Sequence, residues 1–321
     1  MKFNSVLLTI LALLLCSCSA SINPGESREL GPYTVSVISN NIFHIQDYNS
    51  SNPAGEVFDA DGVKTHFNNC SDIYLLVGAK KALLIDLSNN VTWADNAEES
   101  LRRIVSDRIG KRELIITFTH NHGDHTGMLP AYIKDRNVTF ALPRIDFSSV
   151  LNRFPTDQVL MIDEGYVFDL GGLEVDTVLV PGHTAGSFAF FVKGKSLAFT
   201  GDAIGMGHGV WLFDTASFDL YRNAVPHLVS YIDDPANGID RNAFRFYGGH
   251  YWQKNWSDIP EGESFGMEYI DDMAELLDQM AEGTERREPS NLGRPGLETY
   301  FRNGQAIIVW SGAAADEYFK H

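Results

Sequence analysis

Five of the ten histidines and two aspartates follow segments that the sequence predicts to be strands. The densest group is His120, His122, Asp124 and His125, directly after the apolar segment 114–118. Extended backbone points residues two apart to the same side, and the glycine after His122 permits a turn that presents the next two side chains. Imidazole nitrogens and carboxylate oxygens are ligands that suit zinc. The group therefore predicts a metal site.

Three more candidate ligands stand where other apolar segments end. His183 follows a Pro-Gly pair, which favours a sharp turn that lifts the imidazole off the sheet edge. Asp202 ends the segment 197–201, where a carboxylate is costly to bury without a partner. His250 follows a strand and two glycines. Taken alone, His183 is explained equally well by a structural role, and Asp202 is explained better as a solvated turn residue.

The segments that must position these residues are mostly strands with interspersed helices. Predicted strands cover 33–38, 42–47, 73–77, 82–87, 114–118, 138–142, 159–162, 166–169, 173–180, 187–193, 196–200, 243–247 and 305–310. Predicted helices cover 94–109, 218–232 and 264–282. We expect the last strand to add to a sheet edge. This order predicts an α/β fold in which helices cover two sheets.

Together these features resemble the metallo-β-lactamase superfamily over residues from about 32 to 255. The run from His120 to His125 matches the family signature without a gap, and His183, Asp202 and His250 follow in the family's order. The resemblance implies a four-layer αβ/βα sandwich with the metals at one edge. Beyond it we expect a short C-terminal helix-strand extension, residues 256–321.

The resemblance also implies how the ligands divide between two zinc ions; iron or manganese can occupy similar ligand sets. One ion would be held by His120, His122 and His183. The other would be held by Asp124, His125 and His250, and Asp202 would bridge the two. Such ions lower the pKa of water from about 15.7 to near 7, which supplies hydroxide for attack on a carbonyl or phosphoryl group. Asp124 is the implied catalytic residue, because it lies where family members orient the nucleophile.

The ligand set favours an ester, thioester or lactone hydrolase. A lactamase that uses a cysteine ligand is disfavoured, because Asp202 stands at the bridging position and no cysteine lies near it. Glutathione thioesters are disfavoured by the acidic helix at 264–282. The alternatives are a lactamase of the subclass without cysteine, a phosphodiesterase, and a lipid-anchored metal- or ligand-binding protein without turnover.

Residues near the ligands suggest a pocket for a small-molecule substrate. We expect His208, Trp211 and Trp252 to bind substrate, because aromatic side chains beside a metal site line apolar slots. Packing roles explain the two tryptophans equally well. The chain has 25 basic and 42 acidic residues, a net charge of −17, which argues against nucleic acid as a partner. The oligomeric state is left open.

The first residues have the pattern of an export signal: a lysine at position 2 and then a mostly apolar run from 6 to 15. The sequence Leu15-Cys16-Ser17-Cys18 resembles the bacterial lipobox. The resemblance implies a signal peptide at 1–17, acylation of Cys18 and a tether at 18–31. We expect a metallo-β-lactamase-fold domain at 32–321, which includes the C-terminal extension. We therefore expect an exported lipoprotein, anchored to a membrane in the periplasm or at the cell surface.

Overall fold

The structure is a computed structural model, and it describes residues 22–47, 70–205, 209–250, 264–290 and 292–320. For two short strands, at 57–58 and 64–66, only the backbone is described. The predicted signal peptide, Cys18, His208 and Trp252 lie outside the described residues. No helix in the described ranges is long and apolar enough to cross a membrane.

The strands are β1 (Ser27–Leu30), β2 (Tyr33–Ser39), β3 (Ile42–Gln46), β4 (Val57–Phe58), β5 (Lys64–His66), β6 (Asp72–Val77), β7 (Lys81–Ile85), β8 (Glu113–Thr117), β9 (Val138–Pro143), β10 (Val159–Ile162), β11 (Val167–Asp169), β12 (Glu174–Leu179), β13 (Phe188–Val192), β14 (Leu197–Gly201), β15 (Val210–Trp211), β16 (Arg245–Gly248), β17 (Phe265–Gly266), β18 (Arg286–Pro289), β19 (Thr299–Asn303) and β20 (Ala306–Trp310). The helices are α1 (Ala97–Ile109), α2 (Gly123–Thr126), α3 (Arg144–Phe147), α4 (Thr215–Asp233), α5 (Met267–Glu282) and α6 (Gly312–Phe319).

The strands form two large sheets and two smaller ones. The first sheet has the order β1-β2-β3-β6-β7-β8-β9-β10, and the second has the order β11-β12-β13-β14-β16-β17. A third sheet has the order β15-β20-β19-β18, and β4 pairs with β5. Most neighbours are antiparallel, but β7, β8, β9 and β10 run parallel, as do β14 with β16 and β15 with β20.

The two large sheets face each other across a layer of buried side chains. Tyr74 and Leu83 of the first sheet belong to this cluster, together with Phe190 and Phe199 of the second. The ring centroids of Tyr74 and Phe199 are 4.4 Å apart. All six residues of β6 are buried, as expected for a strand covered on both faces. Burial of these apolar side chains holds the sheets together.

Helices cover the outer faces of both sheets. Leu101 and Val105 of α1 pack on the first sheet, while α4 and α5 pack on the second. The layers therefore run helix, sheet, sheet, helix, and the predicted four-layer αβ/βα fold is confirmed. Helix α4 begins three residues before the predicted start, because the Asp214 side chain accepts a hydrogen bond from the Ser217 amide and caps the helix.

The C-terminal extension is larger than the predicted helix and strand. Helix α5 buries its apolar face as expected, but it begins at Met267 because Phe265–Gly266 pairs with β16. The prediction that the last strand lies at a sheet edge is wrong, since β20 lies between β15 and β19. All five β20 residues are buried. The sequence analysis missed β18, β19 and α6, so β20 had no predicted neighbours.

The predicted tether extends too far toward the C-terminus. Ser27–Leu30 forms β1 and pairs antiparallel with β2 from Leu30 opposite Tyr33 to Ser27 opposite Ser36. The connecting turn uses Gly31, whose φ is 59°. Leu30 packs against the buried cluster of the first sheet. This hairpin makes the last part of the predicted tether an element of the fold.

The candidate ligands come from four segments that follow strands. β8 leads into the segment from His120 to His125, and β12 into the loop with His183. Asp202 directly follows β14, and His250 lies two residues after β16. Because β14 and β16 are parallel, their carboxyl ends meet at one edge of the second sheet.

Candidate metal centre

The first two histidines after β8 point the same way, as the sequence predicts. Their ring centroids are 4.6 Å apart, and His120 Nε2 lies 3.0 Å from His122 Nδ1. The chain then enters α2, which places Asp124 in its first turn. The chain turns at Gly123 as expected, but the turn requires no glycine, because Gly123 has no positive φ and a Cβ there would meet no atom within 4 Å. The short helix, rather than a glycine conformation, turns Asp124 and His125 toward a second position.

The three distant candidates lie against this segment. His183 Nε2 is 3.0 Å from His122 Nδ1. Asp202 lies between the groups: its Oδ2 is 3.4 Å from His183 Nε2 and 3.3 Å from His250 Nε2. Its Oδ1 is 3.3 Å from His125 Nε2.

Gly182 permits the turn before His183, as the Pro-Gly pair predicts. Its φ is 153°, and a Cβ would lie 2.5 Å from the Tyr221 ring. A side chain at this position would therefore push the His183 loop away from α4.

All seven candidates fall into overlapping groups whose ligand atoms lie within 4.8 Å of one another. The groups are His120, His122 and His183; His120, His125 and Asp202; and Asp124, His125 and His250. The first and third are the two ligand sets that the resemblance implies, and Asp202 lies between them. The structure thus brings the seven residues together, and their role as ligands stays a prediction.

Hydrogen bonds at the far nitrogens fix the ring orientations of three histidines. His183 Nδ1 donates to the Trp211 carbonyl at 3.1 Å, and His250 Nδ1 donates to the Cys70 carbonyl at 2.7 Å. Carbonyl oxygens only accept, so these Nδ1 atoms carry the protons. His125 Nδ1 likewise lies 2.9 Å from Asp86 Oδ2. In the neutral rings, Nε2 therefore directs a lone pair into the cluster.

These lone pairs and carboxylates are arranged to hold cations. His125 Nε2 and Asp202 Oδ1 are buried and lie 3.3 Å apart, and neither has another polar partner within hydrogen-bonding geometry among the described residues. Buried polar atoms without partners are costly, and a divalent ion would satisfy several of them at once. Nitrogen and carboxylate oxygen donors, each histidine braced at its other nitrogen, are typical of zinc sites. The residues present fit metal ions.

Burial and mutual charge set the protonation of the cluster. Burial lowers the pKa of His183 to about 4 and holds the pKa of His120 well below its usual range, which keeps both rings neutral. Burial opposes the charged form of His250, but facing Asp202 outweighs it and raises the pKa to about 9. Burial likewise opposes ionisation of Asp202, but His250 and His125 hold its pKa well below the usual range. Asp202 is therefore an ionised carboxylate that can bind cations.

The sequence analysis missed Asp86, which holds the Thr119 backbone and the His125 ring in place beside the cluster. Its carboxylate accepts hydrogen bonds from the Thr119 amide at 2.7 Å and the Thr119 hydroxyl at 2.8 Å, and contacts His125. The residue is 1 % exposed and has a φ of 65°. A carboxylate ending an apolar strand was the available signal, as at Asp202, but the predicted strand ran through to residue 87.

Asp146 is a second missed residue, and it ties two ligand loops together. Its carboxylate accepts from the Asn121 amide at 3.1 Å, the Thr184 hydroxyl at 2.7 Å and the Gly186 amide at 2.8 Å. These contacts join the His120–His122 segment to the His183 loop. No local pattern in the sequence marks such long-range contacts.

A cavity of about 470 Å³ opens onto the cluster. It is lined by Asn89, His122, Gly123, Asp124, His183, Asp202, Trp211, Phe213, His250 and Arg294. Trp211 thus lies where a substrate contact is expected, whereas His208 and Trp252 belong to ranges that are not described. A larger groove along α1 contains none of the seven candidate ligands.

The sequence model of the metallo-beta-lactamase superfamily matches residues 71–237, just over half of the chain. The chain belongs to this superfamily. Its members include hydrolases, and the matched range contains β6 to α4 and every candidate ligand except His250.

Similar proteins place the chain within the superfamily without naming its substrate. The lactamase-like protein ptaB of Pestalotiopsis fici is 28 % identical over 200 residues, which are 62 % of this chain and 55 % of that protein. An atrochrysone carboxyl ACP thioesterase of Claviceps purpurea is 25 % identical over 181 residues, 56 % of this chain and 50 % of that protein. The chain thus spans about half the length of these curated relatives.

Solved metallo-beta-lactamases share the fold. The enzyme from Pontibacter korlensis has a TM-score of 0.53 at 16 % identity, covering 77 % of this chain and 99 % of its own. FIM-1 from Pseudomonas aeruginosa, solved in a mono-zinc form, has a TM-score of 0.51 at 15 % identity, covering 78 % of this chain and 97 % of its own. At this identity the likeness supports the fold alone.

A glycine beside the ligands offers a test of the cluster's tight geometry. A Cβ at Gly249 would lie 2.4 Å from Asp202 Oδ1 and 2.7 Å from His125 Cε1. We expect Gly249→Ala to lower metal affinity by about 10- to 100-fold, because the new methyl group would displace Asp202 and His125. Losses of this size follow mutation of residues that orient metal ligands. Elemental analysis after dialysis measures this. Gly123→Ala, whose Cβ meets no atom within 4 Å, is the matched control and should keep its metal.

Proposed function

We propose that this protein is a metal-dependent hydrolase of an ester, thioester or lactone, with two zinc ions as its resident cofactors. The single observation that carries the proposal is the pair of ligand groups joined through Asp202, with the Nε2 atoms of His183 and His250 directed inward. Divalent cations bound there would make water more acidic and polarise a substrate carbonyl. Iron or manganese would fit the same donors.

The chain's own residues then have separate tasks. His183 and His250 are braced by backbone carbonyls, so they hold their positions without rearrangement. Asp124 faces the cavity, and its side chain is 22 % exposed. Burial opposes its charge, but His125 and His250 outweigh burial and hold its pKa below the usual range. An ionised Asp124 can accept a hydrogen bond from the attacking water and orient it toward the substrate carbonyl.

Two features favour carbonyl esters and thioesters over the other substrates. Asp202, not a cysteine, lies between the ligand groups, unlike lactamases that use a cysteine ligand. One of the relatives is described as an acyl carrier protein thioesterase.

The cavity volume of about 470 Å³ suits a small molecule. Nucleic acid is disfavoured by the net charge of −17.

A substrate panel on the metal-loaded protein tests the activity. It contains p-nitrophenyl esters, thioesters, lactones, a chromogenic cephalosporin and bis-p-nitrophenyl phosphate. We expect hydrolysis of at least one carbonyl ester class, loss of the rate with a chelator, and its return with zinc. Preference for the cephalosporin or the phosphodiester would overturn the substrate assignment. Full metal loading without hydrolysis of any compound in the panel would instead support the alternative of a metal- or ligand-binding protein without turnover.

The proposed location rests on the sequence Leu15-Cys16-Ser17-Cys18 alone. We propose that the protein is an exported lipoprotein anchored through an acylated Cys18, because two or more acyl chains give stable membrane residence. We expect Cys18→Ala to move the protein from the detergent phase to the aqueous phase in a bacterial expression host. Ester hydrolysis per molecule should be unchanged. Equal partitioning of variant and wild type would contradict the anchor.

A further inference from the structure

One cation apart from the histidines lines the cavity: Arg294, from the loop between β18 and β19. The guanidinium carbon lies 5.0 Å from the centre of the Trp211 ring. Trp211 in turn accepts the His183 Nδ1 hydrogen bond through its carbonyl. Arg294 is therefore linked to the candidate metal centre through one residue, Trp211, whose ring contacts the guanidinium and whose main-chain carbonyl contacts His183. It lies outside the range that the superfamily model matches.

The loop that carries Arg294 is built to hold its shape. The Ser290 amide donates to the Glu298 carbonyl at 2.7 Å, and the Leu297 amide donates to the Arg294 carbonyl at 3.1 Å. Leu297 is 1 % exposed, and partly buried Leu292 packs on the same cluster as Trp211. A closed turn with buried anchors presents the exposed guanidinium at a defined place.

Within the described part of the chain, the guanidinium of Arg294 forms no ion pair with a carboxylate. Other arginines do pair with carboxylates: Arg102, Arg136, Arg144, Arg241, Arg286, Arg287 and Arg302. Another five arginines donate instead to carbonyl, amide or hydroxyl oxygens: Arg108, Arg112, Arg153, Arg222 and Arg245. Within the described residues Arg294 is therefore unusual, because its guanidinium has neither an ion pair nor a hydrogen bond. Its planar donors match a carboxylate in bidentate geometry, and stacking on an indole pre-orients them.

We propose that Arg294 is a specificity-determining residue that binds a carboxylate on the substrate. The inference rests on the proposed hydrolysis and narrows it to acyl substrates that carry an acid group away from the reacting carbonyl. The reacting carbonyl lies at the candidate ligands, the acid group at Arg294, and Trp211 and Phe213 contact the chain between them. A singly charged carboxylate suits this site better than a doubly charged phosphate, because repulsion by the net charge of −17 grows with ligand charge.

Matched esters test the assignment: the p-nitrophenyl monoester of adipate and the same compound with its free carboxylate methylated. We expect the wild type to prefer the anionic ester. Arg294→Ala should lower kcat/KM for the anionic ester by about 10- to 100-fold, chiefly through KM, since hydrogen bonds to charged groups contribute that much. The neutral ester should change by less than about threefold, and metal content should stay the same. Arg294→Lys should recover part of the loss, since it keeps the charge but not the bidentate fork.

Other outcomes decide against the proposal. Equal losses on both esters would assign Arg294 a structural role through Trp211, and no loss on either would show that its charge is unused. Arg136→Ala, at a side chain that is 80 % exposed, controls for a change in net charge. If the wild type hydrolyses neither ester, the proposed hydrolysis fails for these substrates, and calorimetric binding of adipate still tests the arginine. Tenfold weaker binding to Arg294→Ala would then support the site, and equal binding would overturn it.

Discussion

Replacing His122 with alanine is expected to remove bound metal and hydrolysis together. His122 Nδ1 lies 3.0 Å from both His120 Nε2 and His183 Nε2, so it is the common neighbour within one ligand group. Without it, that group keeps two of its three imidazoles. We expect kcat/KM to fall by about 1000-fold or more, because metal ions stabilise such transition states by several kcal/mol. Elemental analysis and ester hydrolysis on the same sample measure both effects.

His227→Ala is the matched control for this substitution. His227 is half exposed and contacts Glu164 on the surface, at a position with no candidate ligand nearby. The control should keep both metal and rate. Wild-type turnover in His122→Ala would refute the site. Lost turnover with full metal content would refute His122 as a ligand and leave it another role.

Asp86→Ala is expected to weaken the site without removing a ligand. The substitution leaves the Thr119 amide, the Thr119 hydroxyl and His125 Nδ1 without their acceptor in a buried place. We expect metal affinity to fall by about 10- to 100-fold, as for other residues that orient ligating histidines. The free energy of unfolding should fall by about 2–4 kcal/mol, because buried donors lose their partner. Zinc titration and urea unfolding of the metal-free protein measure the two effects.

Adding excess zinc should distinguish the role of Asp86 from that of the candidate ligands. High zinc concentration should restore most of the rate of Asp86→Ala, since all seven candidate ligands are still present, but should not restore His122→Ala. Asp163→Ala, which removes an exposed carboxylate paired with Arg144, is the control and should change neither affinity nor rate. Zinc affinity in Asp86→Ala equal to that of the wild type would contradict the bracing role.

The placement of the candidate ligands could be predicted because it depends on local signals. Each ligand follows an apolar segment, and such segments form strands whose ends meet at a sheet edge. His120 and His122 lie on the same side, as the alternation predicts, although the backbone bends at Thr119 and His120. The turn at Gly123 is also present, but it is a single turn of helix that needs no special glycine conformation.

The residues that brace the ligands could not be predicted from neighbours in sequence. Asp146 contacts amides that lie 25 and 40 residues away, and only the folded chain brings these together. The third sheet was missed for a related reason. β18 reads Arg-Arg-Glu-Pro, with no apolar face to mark a strand, and it forms because β19 pairs with it. Arg294 is presented by the loop between those two strands, so sequence analysis gave no reason to place it at the cavity.

Zinc-edge anomalous diffraction from crystals of the metal-loaded protein tests the central claim most directly. We predict two peaks in the anomalous map, one enclosed by His120, His122 and His183 and one enclosed by Asp124, His125 and His250. Asp202 should contact both. A map with no peak among these side chains, or with zinc bound only at other residues, would contradict the metal centre, and a single peak at full loading would contradict the pair.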